Sequence, residues 1–480
     1  MLALSRTARV SAPAFGVARR GMSSTSAELA LLEQLMKQAK DREAKAKAQA
    51  AAEAASGGPK FQIQTFNAIS PVGLKAFPEK SFMLTGSSGT VPEGIEDEPH
   101  AILLRSHKLQ SDEVKSTVRA IARCGAGTNN IPIDDMTRRG IPVFNTPGAN
   151  ANAVKELVLC GLLLSSRGII EGINHVKEKI VPECAEHKDR AARIEKDKKH
   201  FVGQELLGKT LAVCGLGNIG AMVAEAGLAL GMNVIGYDPK ISVDAAWRLP
   251  NEVGRMESLE DAFAHADYVT INMPYIKGVT HHAINASVLS NMKPGCNILN
   301  MARGEIVDGK ALKEMYAKGH TGKYVCDFAD EEMQMHPNFI CIPHLGASTA
   351  EAEDNCAKMA ADQIQNFLET GTIKNAVNFP AANLERQDGN STRLCIINEN
   401  VPGILGQITS LLGTKGVNIA QQLNTSRDSI AYNVIDLDSF AEGDAADLQQ
   451  AILGIEGVLS TRIIWTGSVN EGPSNFMTKM

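Results

Sequence analysis

Three residues in the second half of the chain have the types and order that hydride chemistry needs: Arg303, Glu332 and His344. Each ends or follows a short apolar run. The runs are Ile298-Leu299-Asn300-Met301-Ala302-Arg303, then Tyr324-Val325-Cys326-Asp327-Phe328 trailed by Asp330-Glu331-Glu332, then Ile342-Pro343-His344. A planar guanidinium grips a carboxylate at two points. A histidine titrating near neutrality takes the proton of a hydroxyl as hydride leaves its carbon. A carboxylate behind the ring fixes the tautomer and stabilises the imidazolium. Together these groups suit oxidation of a 2-hydroxy acid. Singly, each has a plainer meaning: a surface ion pair, a structural histidine, an acidic loop. Their joint occurrence downstream of a dinucleotide motif carries the functional meaning.

That motif is Gly215-Leu216-Gly217-Asn218-Ile219-Gly220. An apolar run, Thr210–Cys214, precedes it, and a helical pattern to Gly231 follows. A second strand pattern, Asn233–Tyr237, then ends at Asp238. A bare G-x-G-x-x-G is weak, but in strand–turn–helix context with an acid beyond it the signal is strong. The glycines permit the tight turn, backbone approach to a pyrophosphate, and close helix packing. The helix N-terminus offers N–H groups to the phosphates. Asp238 accepts from ribose hydroxyls and repels a 2′-phosphate, so the cofactor is NAD rather than NADP.

Elements must hold these groups together. From Thr210 to about His344 strand and helix patterns alternate, which predicts a Rossmann-type parallel sheet with its polar groups at the carboxyl ends of strands. Upstream, the pattern predicts strands at Ala101–Leu104 and Ile141–Asn145, with helices over Asp112–Ile121 and about Asn150–Leu164. A long helix is predicted over Thr349–Leu368. From Arg393 to Trp465 a compact strand–helix–strand pattern indicates a further α+β unit. The predicted organisation is a first substrate-domain part, 59–157, and an NAD-binding domain, 158–344. A return segment, 345–376, a linker, 377–391, and a C-terminal domain, 392–466, follow, with a disordered tail, 467–480.

Composition narrows the partners. The chain of 480 residues is 44% hydrophobic and 21% charged, with a net charge of −6 and no basic stripe, which argues against nucleic acid. No apolar run reaches about 18 residues, the length a membrane span needs. Nine cysteines stand singly, with no C-x-x-C pair, so neither a disulfide framework nor a zinc site is indicated and no metal is expected. Residues 1–22 hold four arginines and no acid, the composition of a transit peptide. The mitochondrial matrix is the first expectation, with plastid stroma or cytoplasm as alternatives. Residues 23–58 are an Ala/Glu/Lys-rich leader.

On these motifs the chain resembles the D-2-hydroxyacid dehydrogenase family from about Ala101 to Pro380. The resemblance implies a Rossmann-type cofactor domain beside a discontinuous, flavodoxin-like substrate domain. It assigns Arg303 to the substrate carboxylate and His344 with Glu332 to the proton. Glu332 is chosen over Glu331 by spacing alone. Cofactor contacts fall to Gly215, Gly217, Asn218, Ile219, Gly220, Asp238, Pro274, Ala302 and Asp327. Within the family, Leu104-Arg105-Ser106, Arg123-Cys124-Gly125-Ala126-Gly127 and His344-Leu345-Gly346-Ala347-Ser348-Thr349 are most similar to the branch that oxidises D-3-phosphoglycerate. Arg105, Ser106 and Arg123 are then phosphate contacts, and the 125–127 backbone is a nest for the carboxylate. Asn400-Val401-Pro402-Gly403 and Gly416-Val417-Asn418-Ile419 resemble an ACT domain. That implies a homodimer or homotetramer and an L-serine effector at Asn398, Asn400 and Asn418. The sequence departs from the pattern in three places. The loop between Glu332 and His344 is short, with Met333 where a proline is usual. Asn398 replaces a histidine, and Lys155 stands at a small-residue position of its helix. A glyoxylate or hydroxypyruvate reductase is the nearest rival, and an NAD-sensing scaffold a more distant one.

Overall fold

A computed structural model of the chain describes residues 61–86, 97–333, 336–386, 392–438, 442–465 and 476–478. The transit-peptide and leader expectations lie outside the described residues.

The first sheet is built from β1 (Phe61–Thr65), β2 (Phe82–Thr85), β3 (Ala101–Leu104), β4 (Ala120–Arg123) and β5 (Val143–Phe144), in the order β2-β1-β3-β4-β5. Every pairing is parallel, and the order is the flavodoxin-like one. All four residues of β3 are buried, as a strand covered on both faces must be. Where a helix is predicted over Asp112–Ile121, the chain forms only one 3-10 turn, Ser111–Glu113, and then enters β4. Val114 and Val118 are drawn into the core beside β3 and β4, and this packing overrides the local helical spacing.

The second sheet joins β6 (Thr210–Cys214), β7 (Asn233–Tyr237), β8 (Gly254–Arg255), β9 (Tyr268–Ile271), β10 (Asn297–Asn300), β11 (Tyr324–Cys326) and β12 (Phe339–Cys341). The order β12-β11-β10-β9-β6-β7-β8 places the topological switch between β6 and β9, the Rossmann arrangement. Helix α1 (Ala151–Ser166) buries Val154, Val158 and Leu162 in this domain's core, so the domain boundary falls at the head of α1 rather than at 157/158. Helix α2 (Asn218–Ala229) follows the glycine turn, and α3 (Gly309–Ala317) follows β10. Helix α4 (Ala350–Thr370) returns to the first sheet. Its face of Cys356, Ala357, Ala360, Ala361, Ile364, Phe367 and Leu368 recurs at helical spacing and joins the core of β1–β5. Thr349 caps its start by accepting from the Ala352 N–H, and Gly371, at φ 75°, ends it.

The C-terminal sheet is antiparallel: β13 (Thr392–Glu399), β14 (Asn418–Arg427), β15 (Ile430–Asp438), β16 (Val458–Ile464) and β17 (Phe476–Thr478), in the order β14-β15-β13-β16-β17. Helices α5 (Ile404–Thr414) and α6 (Ala445–Leu453) cover one face, packing on Leu394, Ile396, Ile435 and Leu437. The alternate residues Cys395, Ile397, Tyr432 and Val434 face the other way and share a core with Phe367, Leu368 and Ile373. Strand β17 lies inside the tail predicted to be disordered. It pairs with the edge of β16, whose free backbone groups it satisfies.

Candidate active site

At the switch point the glycine turn has the geometry its motif predicts. Gly215 sits at φ +93°, and a side chain there would collide with the Met273 backbone. A Cβ on Gly220 would meet the Gly215 carbonyl at 1.9 Å, whereas Gly217 faces open space. Helix α2 starts there with no side-chain cap, so its first N–H groups stay available to phosphate. Asp238 follows β7 directly and has a structural task of its own. Its Oδ2 accepts from the Leu216 N–H at 2.9 Å and its Oδ1 from the Lys240 N–H at 2.9 Å, which fastens the glycine turn. The Asn218 amide rests against Gly148 of the 146–150 segment, so that segment closes over the turn. Asn272, before Pro274, packs beside Gly215 and holds a buried Oδ1 without a partner.

Two arginines meet the 125–127 loop, and a third, Arg105, lies near one of them. A Cβ on Gly125 would meet Arg123 Nη1 at 2.0 Å, and one on Gly127 would meet Arg303 Nη2 at 2.7 Å. Burial, with the facing charges of Arg303 and Arg105, lowers the Arg123 pKa. The Arg123 Nε–H donates to the Arg105 carbonyl at 3.1 Å. Arg303 is fixed from β10: the Asn300 Nδ2–H donates to the Arg303 carbonyl at 2.8 Å, and Asn300 Oδ1 accepts from the Ala302 N–H.

Two contacts bear on what was expected of this region. Arg105 is not free, since its Nη1 pairs with Glu353 Oε1 of α4 at 2.6 Å. The 125–127 nest is incomplete, since the Gly125 N–H donates to the Arg123 carbonyl. The Ser106 N–H is held by Asn67 Oδ1 at 3.1 Å. Asn67 and Glu353 escaped the sequence reading. Asn67 sits at φ +66° just past β1, where asparagine tolerates a left-handed turn, and Glu353 lies one helical turn beyond the His344–Thr349 run.

A cleft of about 1170 Å³ opens at the carboxyl ends of β11 and β12, lined among others by Asp327, Phe328, Glu331, Glu332 and His344. His344 is exposed and meets the Phe328 ring edge-on at 4.8 Å. Glu332 shares the cleft, but its Oε2 pairs with Lys313 Nζ of α3 at 2.7 Å, and that hydrogen bond and charge hold its pKa low. The predicted Glu332–His344 hydrogen bond is therefore not formed. Asp330 accepts from the Glu332 and Met333 N–H groups and turns this short loop toward α3. The carboxylate that feels the His344 charge is Asp327. Asp327 is buried, and burial raises its pKa despite His344, the Gly346 N–H and Arg303. Its Oδ1 is buried with no hydrogen-bond partner, an acceptor ready for a carboxamide N–H. Lys155 Nζ donates to Asn152 Oδ1 at 2.7 Å on its own helix.

In the C-terminal domain Asn398 is buried, donating to the Glu399 carbonyl and accepting from Asn433 Nδ2, so it is not a surface effector contact. Asn400 donates to the Asp428 carbonyl and Asn418 to Asp438 Oδ2. Strand register puts these two at opposite ends of the sheet, so one chain alone does not bring them together.

Residues 165–346 match the D-isomer specific 2-hydroxyacid dehydrogenase, NAD binding domain. The chain is 31% identical over 388 residues to D-3-phosphoglycerate dehydrogenase of Escherichia coli strain K12, covering 78% of this chain and 88% of that one. It is 28% identical to D-3-phosphoglycerate dehydrogenase of Dictyostelium discoideum, covering 85% and 98%. Among solved structures, NAD+-bound 3-phosphoglycerate dehydrogenase of Entamoeba histolytica shares the fold at a TM-score of 0.50 and 24% identity, over 66% of this chain and 98% of that one. The chain belongs to the D-3-phosphoglycerate dehydrogenase family of D-isomer-specific 2-hydroxyacid dehydrogenases.

Proposed function

We propose that the chain oxidises D-3-phosphoglycerate to 3-phosphohydroxypyruvate with NAD, the step that opens the phosphorylated route to serine. The observation that carries this is the pairing of Arg123 and Arg303 on one glycine loop, with Arg105 near enough to Arg123 for its charge to be felt there. A plain 2-hydroxy acid needs one such cation; a substrate with a carboxylate at one end and a phosphate at the other uses all three. Arg303 holds the carboxylate, Arg123 and Arg105 address the phosphate, and His344 takes the hydroxyl proton. The glycine turn, Asp238, Pro274, Ala302 and Asp327 hold the cofactor. Bound there, NAD accepts the hydride. Glu332 serves His344 once it leaves Lys313. A glyoxylate or hydroxypyruvate reductase would need no cation pair for phosphate. Steady-state kinetics decide between them: kcat/KM for D-3-phosphoglycerate oxidation should far exceed that for D-glycerate, and parity with glyoxylate reduction would reverse the assignment. His344→Ala should lower kcat by ~10²–10⁴-fold with NADH binding retained.

The C-terminal module is read as an ACT domain that pairs with a second copy and there joins Asn400 of one chain to Asn418 of the other, taking L-serine. Calorimetry on Asn418→Ala tests this; no heat from serine or another amino acid with the parent protein would leave the module an assembly role only. Residues 1–22 direct import into the mitochondrial matrix, which a fluorescent fusion reports; diffuse fluorescence would remove that assignment.

A further inference from the structure

Cys326 and Cys341 are direct register partners on the adjacent parallel strands β11 and β12. Both thiols donate to one acceptor, the Phe328 carbonyl, at 3.0 and 3.4 Å. The sulfurs are therefore no farther apart than those two distances laid end to end. Neighbouring strands lie about 4.7–4.9 Å apart, which falls inside the roughly 4.4–6.8 Å Cα separation that a disulfide spans. Cys341 is exposed, Cys326 is buried, and both line the cleft that holds His344. No step of the proposed reaction uses either thiol.

We propose that Cys326 and Cys341 form an oxidant-responsive pair that closes to a disulfide when a hydroperoxide reaches the cleft. The exposed Cys341 sulfur, as thiolate, attacks the outer peroxide oxygen. The O–O bond breaks, an S–O bond forms, and the rest of the peroxide leaves as alcohol or water. Cys326 then attacks the Cys341 sulfenic acid. The S–S bond forms, the S–O bond breaks, and the hydroxide leaves with the Cys326 proton as water. The hydroperoxide is thereby reduced and the two thiols oxidised. Burial pushes the Cys326 thiol up to about 12, so Cys341 is the sulfur that meets peroxide first, and Cys326 gives its proton to the departing hydroxide as it attacks.

The closure acts on the site through its neighbours. It withdraws both S–H donors from the Phe328 carbonyl, and the Phe328 ring stands edge-on to His344 at 4.8 Å. Asp327 follows Cys326 directly, and His344 lies three residues after Cys341.

The test treats the full chain with hydrogen peroxide, blocks remaining thiols, and cleaves between the two cysteines at Glu331 or Glu332. Mass spectrometry should find the two fragments joined, with two fewer alkylated thiols than the nine of the reduced chain. Turnover should fall by about 10-fold, the scale of a sub-ångström misplacement of reacting groups, and recover with dithiothreitol. Cys326→Ser should leave Cys341 open to a sulfenic-acid probe with no joined fragments. Cys341→Ala, compared with its own untreated sample, should resist peroxide. Joined fragments missing from the oxidised parent would overturn the proposal whatever the activity does. Equal peroxide loss in Cys341→Ala and the parent would equally overturn it.

Discussion

The ion pair between Arg105 and Glu353 sets up a competition that can be measured. Its N–O distance is 2.6 Å, but the two side chains are 32% and 40% exposed. A pair this open contributes about 0–1 kcal/mol. If Arg105 must leave Glu353 to meet the substrate phosphate, that amount is lost from binding, and 1 kcal/mol is about fivefold in an equilibrium constant. Glu353→Gln should therefore lower the KM for D-3-phosphoglycerate by up to ~5-fold. The kcat should not move, because the reacting carbon lies at the His344 end. D-glycerate, which lacks the phosphate, should show no change in KM. The gain should shrink as ionic strength rises, since the pair is screened. Glu351→Gln, an exposed carboxylate on the same helix turn, is the control. A rise in KM would refute the reasoning, because Glu353 would then be holding Arg105 in its working position. An equal fall for D-glycerate would also refute it, because the effect would belong to the general charge of the cleft.

Three further outcomes are expected. Parent enzyme should prefer NAD over NADP by at least ~100-fold, and Asp238→Ala should raise kcat/KM with NADP while lowering it with NAD, because the Leu216 N–H loses its acceptor; an unchanged ratio counts against the ribose role. Burial raises the Asp327 pKa, so its ionised form costs stability above that folded pKa, and the cost is relieved as pH falls through it. Asp327→Asn should then melt at a higher temperature than the parent near neutrality, the gap closing on the acid side, while NADH binds more weakly; a lower Tm at every pH would contradict the sign. Asp436→Asn leaves Arg393, 1% exposed, without its bidentate partner and should cost about 3–5 kcal/mol in denaturant unfolding of the C-terminal sheet; a loss under about 1 kcal/mol would show that the Thr370 carbonyl alone suffices.

The parts of this site that were legible in the sequence are those where backbone chemistry restricts residue type. Gly215, Gly217 and Gly220 are legible because a Cβ would collide or block approach, and Asp238 because it closes the strand after the motif's helix. Strands β6 and β10 read as apolar runs because both of their faces are covered. The misses have a common physical origin in contacts far apart in the chain. Glu353 meets Arg105 across 248 positions, and nothing local to either marks the pair. Lys313 captures Glu332 from α3, so spacing to Asp327 locates the carboxylate without telling which way it turns. Asn398 matches a surface motif by position, yet its neighbours on β15 bury it in a side-chain ladder with Asn433 and Asn424. The 112–121 stretch has helical spacing, but Val118 and β4 are claimed by the sheet.

Helix α4 connects these observations. At its C-terminal end four free carbonyls would ordinarily face water. Here Arg393 donates to the Thr370 carbonyl, Arg462 to that of Leu368 and also to that of Phe367, which the Gly371 N–H already meets, and the Tyr432 hydroxyl to that of Gly371. Two arginines at a helix C-terminus also oppose its negative dipole end. The Arg462 guanidinium lies 4.5 Å over the Phe367 ring, so the C-terminal sheet grips both the backbone and the apolar face of this helix end. At the other end, about 30 Å away for 21 residues at ~1.5 Å each, Glu353 holds Arg105, and Thr349 caps the turn five residues after His344. The two ends of the helix are held differently, the C-terminal end by four donated hydrogen bonds and the N-terminal end by one ion pair. Arg393 is itself anchored by a buried carboxylate, which makes those bonds the costlier ones to break, whereas the Arg105–Glu353 pair is open to water and yields easily. The firmly held end faces the C-terminal sheet, and the loosely held end pairs with Arg105.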